Sequence, residues 1–162
     1  MLAQIPVAWE WLTAGWDKIS EGSFGGQFAQ ALPKTLTAFS QQVGPSGVVK
    51  NPNVWYTDLI LTPAKSNPTF FGYLVEFSEF GIGLILFLVI GYYLLGKKSI
   101  PAMLFWLVVV ALIGGAFMNL NFYFAAGWPA SGVSTRSLNI VMMLSQLAFV
   151  GYYLSTKGKL ED

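Results

Sequence analysis

The sequence predicts an all-α integral membrane protein, a four-transmembrane-helix bundle with amphipathic interfacial helices in the long loop between helices 1 and 2. Three observations predict it. The 162 residues are 54% hydrophobic and only 10% charged, with a mean hydropathy of +0.56, whereas about a quarter of a soluble domain is charged. Three apolar runs in the second half reach the roughly 20 residues that a helix needs to cross hydrocarbon. Between them and the N-terminal segment lies a long connection whose apolar residues recur at helical spacing.

The first helix is read over about residues 2–19, "LAQIPVAWEWLTAGWDKI". At 1.5 Å per residue it reaches roughly 28 Å, just enough for the hydrocarbon core. It has neither the basic start nor the small-residue cleavage site of a signal peptide. Residues 20–71 form the outer connection. "FAQALPKTLTAFSQQ" places Phe28, Leu32, Leu36 and Phe39 on one face, opposite Gln, Lys and Thr, which suits a membrane interface or a lid across the bundle. "GPSGVVKNPN" reads as turn chemistry, and "VWYTDLILTP" as a short second interfacial helix ended by Pro63.

The second span runs from about 72 to 96, the third from about 100 to 125 with Pro101 in its first turn, and the fourth from about 137 to 155. Tyr92, Tyr93, Tyr152 and Tyr153 stand near helix ends, where aromatic belts form. All 162 residues belong to one membrane domain.

Charge sets the orientation. Lys97 and Lys98 lie in the short turn after the second span, and Lys157 and Lys159 in the C-terminal tail. The positive-inside rule makes that side cytoplasmic. Both termini then face the cytoplasm of a prokaryotic cell, and the long loop and "GWPASGVSTR" face outward.

Histidine and cysteine are both absent. No haem, iron–sulfur or copper site is therefore expected on this chain, and no metal. A net charge of +1 leaves no nucleic-acid footprint. If electrons pass through the protein, a bound organic molecule or another membrane subunit carries them.

Polar residues inside the spans are the site candidates, because burying them in lipid is costly. Glu76 is read as interfacial and solvated, and Glu79 as buried and partnered, with Lys18 or Arg136 as its cation. Glu10 is the parallel case on the first helix. Gly81, Gly83, Gly91, Gly114 and Gly115 suggest close helix approach. Asn119, four residues after Gly115, serves first as an interhelical hydrogen-bonding group. A second role for it is to face a quinone carbonyl or an oxyanion. Trp11, Trp16, Trp55 and Trp128 fall at the predicted outer half, as belt residues or as walls for a flat apolar ring.

In this order, the pieces resemble the DoxX/DoxD family of small four-helix membrane proteins, DoxD being the membrane subunit of thiosulfate:quinone oxidoreductase. The resemblance rests on "WEWLTAGWDKI", "GYLVEFSEFGIGLILFLVIG", "FAQALPKTLTAF" with "NPNVWYTDLI", and "MNLNFYFAAG". By position it carries the family's features onto Gly15, Trp16 and Lys18, onto Glu79, and onto Met118, Asn119 and Asn121. The chain departs from the family in the turn "GWPASGVSTRS" and in its shorter N-terminus.

The resemblance implies a membrane subunit of quinone-linked electron transfer, oxidising a small sulfur anion with quinone as acceptor. It also implies a quinone pocket among Trp16, Glu79, Asn119 and Asn121, with Glu79 the candidate catalytic group and Lys18 and Arg136 meeting the anion. The alternative is a non-catalytic accessory subunit of a larger respiratory or photosynthetic complex, in contact with lipid and other membrane subunits.

Overall fold

The computed structural model describes residues 2–21, 26–44, 47–96, 99–125 and 134–160. A 3₁₀ turn, Leu2–Gln4, leads into α1, Ile5–Ser20. The connection holds α2, Gly26–Ser40, and then the strands β1, Gln41–Gly44, and β2, Gly47–Lys50. Helices α3, Val54–Tyr56, and α4, Thr62–Ser66, flank a π-helical turn, Thr57–Leu61. The long helices follow: α5, Pro68–Leu94; α6, Ala102–Ala125; and α7, Ser134–Leu160. Three stretches, Pro68–Leu94, Ala102–Ala125 and Leu138–Lys157, are long and apolar enough to cross a membrane. Helix α1 has 16 residues, about 24 Å at 1.5 Å per residue.

Two local expectations are corrected. Within "GPSGVVKNPN", expected to be turn chemistry, Gly47–Lys50 is a strand that pairs antiparallel with Gln41–Gly44, Gln41 opposite Lys50 and Gly44 opposite Gly47. Pro63 does not end the helical stretch after Val54. It occupies the first turn of α4, directly after the π-helical turn, and the chain stays helical to Ser66.

The buried positions repeat at alternating steps of three and four. On α5 Gly72, Glu76, Glu79, Gly83, Leu86 and Ile90 follow this step, with Ile82 and Val89 buried beside them. On the N-terminal segment they include Gln4, Ala8, Trp11 and Gly15. This is the 3.5-residue seam of helices packed side by side. Helix α1 lies along α5, α6 along α7, and α5 also meets α6. Glycine sets the α1–α5 distance: a Cβ on Gly15 would run into the Phe80 backbone, and one on Gly83 into the Leu12 backbone. Pairing 15 with 80 and 12 with 83 makes the two helices antiparallel. Helix α5 stops where Gly96 takes a positive φ of 73°, a conformation that glycine adopts without a Cβ clash.

The main core joins Ala8, Trp11, Leu86, Val89, Phe105, Val108, Leu112 and Tyr153. A second, smaller core belongs to the connection. Leu32, Leu36, Tyr56, Leu61 and Ala64 close on Ala125, with Phe28, Phe39, Phe71 and Phe124 beside them. This places the connection over one end of the long helices. Asn51 fastens it there: its Nδ2 donates to the carbonyls of Phe39 (3.1 Å), Phe124 (3.2 Å) and Ala125 (3.1 Å). The carbonyls at a helix C-terminus have no partner in their own helix, so a buried amide is an effective cap for α6.

Candidate functional site

Lys18 and Glu79 meet at the connection end of the α1–α5 seam. Lys18 continues the face of α1 that carries Trp11 and Gly15, and antiparallel packing brings it to Glu79 in the fourth turn of α5. Its Nζ donates to Glu79 Oε2 at 2.6 Å and to the Ala14 carbonyl at 3.1 Å. It also stands 5.4 Å from the centre of the Phe28 ring on α2. The glutamate side chain is 3% exposed and the lysine 24%, so the carboxylate is buried and the ammonium keeps partial access to solvent.

Glu76 is one turn away on the same face of α5. The expectation of an interfacial, solvated side chain is overturned: Glu76 is 0% exposed, and among the described residues neither carboxyl oxygen has a hydrogen-bond partner. The seam geometry explains this. Residue 76 falls in line with Gly72, Glu79 and Gly83, on the face that α1 and α2 cover.

The amides form a separate layer. Asn119 Nδ2 donates to Gln146 Oε1 at 2.8 Å, both side chains being buried. Gly115 makes this possible, since a Cβ there would occupy the place of the Gln146 amide nitrogen, with Trp11 Cε2 3.3 Å away. The Trp11 indole N–H and Gln146 Nε2 have no hydrogen-bond partner. A third polar contact lies further along the seam, where the Tyr153 hydroxyl donates to Gln4 Oε1 at 3.3 Å.

The residues expected to form one quinone pocket are therefore divided. Glu79 and Lys18 come together. Trp16 is 56% exposed on the outside of the same helix pair, its ring 6.0 Å from that of Phe80. Asn121 donates back to the Phe117 carbonyl of its own helix at 2.7 Å, which turns it away from Asn119. Among the described residues, no hydrogen bond or ion pair joins the Lys18–Glu79 pair to the Asn119–Gln146 pair. Arg136 falls in the first turn of α7, but its side chain lies outside the described residues, as do Lys97, Lys98 and Trp128.

A recess of about 260 Å³ opens between α2 and the start of α5, lined by Gly26, Ala29, Gln30, Pro33, Pro68, Thr69 and Tyr73. Its lining reaches Tyr73, three residues before Glu76 on α5. For a quinone the fit is partial. Glu76 is fully buried and does not line this recess, and Trp16, Asn119 and Asn121 supply no common wall.

Glu76 as a buried group, Gln4, Gln146 and Asn51 escaped the sequence reading, and Trp11, expected at the outer belt or as a ring wall, is buried in the core. Two of these had a signal: Gln4 stands seven residues before Trp11 and fourteen before Lys18 on one face, and Gln146 interrupts a largely apolar run. Comparison with protein families, with characterised proteins and with solved structures finds no match.

Proposed function

We propose that this chain is an integral membrane protein whose α1, α5, α6 and α7 form a four-span bundle, with α2, α3 and α4 at the interface over its outer end. In this reading it is a DoxX/DoxD-like membrane subunit of quinone-linked electron transfer in a prokaryotic cytoplasmic membrane, with both termini cytoplasmic. A small sulfur anion is the electron donor and quinone the acceptor. The observation that carries the reading is the Lys18–Glu79 pair with the unpartnered Glu76 beside it, all in or against an apolar helix of membrane-spanning length. Ionisable groups at such positions are costly and mark ligand or proton pathways by default. Bound quinone supplies the electron chemistry that the side chains of this chain lack. The chain's own groups would hold it, with the Lys18 ammonium the hydrogen-bond donor for a quinone carbonyl and the carboxyls accepting from the hydroxyls of the reduced ring.

The test is turnover. The full chain, purified and reconstituted in lipid, is given thiosulfate and a short-chain quinone, and quinone absorbance is followed. Reduction that depends on Glu79 supports the reading. No turnover, together with co-purification alongside haem- or pigment-bearing subunits, overturns it.

A second reading, an accessory subunit of a larger respiratory or photosynthetic complex, is favoured by a different observation. The face of α1 turned away from the other helices carries Glu10 and Asp17, with Trp9 60% and Trp16 56% exposed. A carboxylate in mid-helix is poorly suited to lipid, and another membrane subunit laid along α1 would cover it.

A further inference from the structure

We infer that Glu76, Glu79 and Lys18 together form a buried proton-binding site, in which one proton is held on Glu76 as a neutral carboxylic acid. The inference stands apart from the quinone reading, since it concerns only these three side chains. Their charges do not balance. Glu76 and Glu79 are three residues apart on the buried face of α5, and one ammonium, that of Lys18, serves them both. It is already committed, with its Nζ 2.6 Å from Glu79 Oε2. Glu76 is fully buried, and among the described residues neither of its oxygens has a hydrogen-bond partner.

Two carboxylates beside one cation would leave a net negative charge in an apolar seam, where an unpaired ion is far more costly than in water. Neighbouring carboxyls in such a place keep a proton between them. Among the described residues no other cation offsets the charge. Lys34 on α2 and Lys65 on α4 are exposed, and Glu10 on α1 is exposed and of the wrong sign. Helix α6 carries no charged side chain. A metal ion would need several oxygen ligands, and among the described residues no third acidic side chain joins the two glutamates to supply them.

Packing closes the site. Beside Glu76, an added Cβ on Gly72 would stand 2.8 Å from Ala29 Cα on α2. Beside Glu79, a Cβ on Gly15 would meet the Phe80 backbone. Lys18, 24% exposed, is the member with access to water, so protons enter and leave past it. When the ammonium turns from Glu79 to Glu76, the O–H bond of Glu76 breaks and an O–H bond forms on Glu79. The total charge stays the same, as a proton relay through an apolar helix layer requires.

Infrared spectroscopy of the full chain, reconstituted in lipid at neutral pH, tests this. The expected spectrum contains the carbonyl stretch of a neutral carboxylic acid, which shifts on exchange into heavy water and is lost in Glu76→Gln. Charge counting sets two further expectations. Lys18→Met removes the cation, so a second proton binds and the band grows roughly twofold. Glu79→Gln leaves one cation for one carboxylate, so the proton is released and the band disappears. Helix circular dichroism and gel filtration identify the variants that fold, and the wild-type spectrum is decisive without them. No such band in the wild type, or its survival in Glu76→Gln, overturns the inference. A band unchanged in Lys18→Met or in Glu79→Gln shows a carboxyl that is neutral without its neighbours, and overturns the shared site.

Discussion

Lys18 Nζ lies 2.6 Å from Glu79 Oε2, sixty-one residues apart in sequence and on adjacent antiparallel helices. The pair ties α1 to α5 at the end where the connection folds over them. With the glutamate almost fully buried, removing either partner leaves the other in a poorly solvated place, while removing both does not. Lys18→Met and Glu79→Leu should each destabilise by about 2–3 kcal/mol, and the double variant by less than either single one. Unfolding in mixed micelles, read by helix circular dichroism, closes this cycle.

Glycine placement separates packing from permissiveness. A Cβ on Gly83 meets the Leu12 backbone, whereas one on Gly91 meets nothing within 4 Å. Gly83→Ala should force α1 off α5, with a loss of about 1–3 kcal/mol, and Gly91→Ala should be neutral or slightly stabilising. Thermal unfolding of the two variants side by side checks this.

Asn51 donates to three carbonyls from two segments. Asn51→Asp keeps the shape and removes the donor, so both Asp and Ala variants should release the connection from α6. Loss of buried hydrogen bonds of this kind costs about 1–3 kcal/mol. Limited proteolysis should show faster cutting between residues 41 and 66, with the long helices still protected.

Burial raises the Tyr56 phenol from its ordinary 10.0 to about 12. Between those values an unfolded chain gives up the proton and the folded one keeps it. The stability that neutral Tyr56 contributes is therefore whole below pH 10 and is lost as pH climbs through 12. Tyr56→Phe should remove one late-titrating tyrosinate from the ultraviolet absorbance profile and reduce the alkaline loss of stability.

Much of the helical framework was legible because lipid imposes long apolar runs. Expected spans at 72–96, 100–125 and 137–155 compare with Pro68–Leu94, Ala102–Ala125 and Ser134–Leu160. Extra turns came at the ends, where Pro68 and Ser134 open helices through polar residues that a hydropathy reading assigns to loops. The burial of Glu76 was not legible from depth, which placed it near water. It follows from rotation about α5, which puts 76 in register with Gly72 and Glu79. Asn119 was legible as an interhelical hydrogen-bonding group, but its partner Gln146 is set by the space left at Gly115, a relation between three positions on two helices. The hairpin at 41–50 escaped because glycine and proline mark a turn without showing whether the flanking residues pair.

The carboxylates at the α1–α5 seam are proposed to serve a quinone, beyond holding helices together. Glu79→Gln tests this most directly, in the reconstituted full chain, with quinone binding and thiosulfate-driven reduction measured beside thermal stability. The account predicts that binding or turnover falls well beyond what the change in stability explains. Normal binding and turnover in a variant that is merely less stable would contradict it and leave Glu79 a structural partner of Lys18.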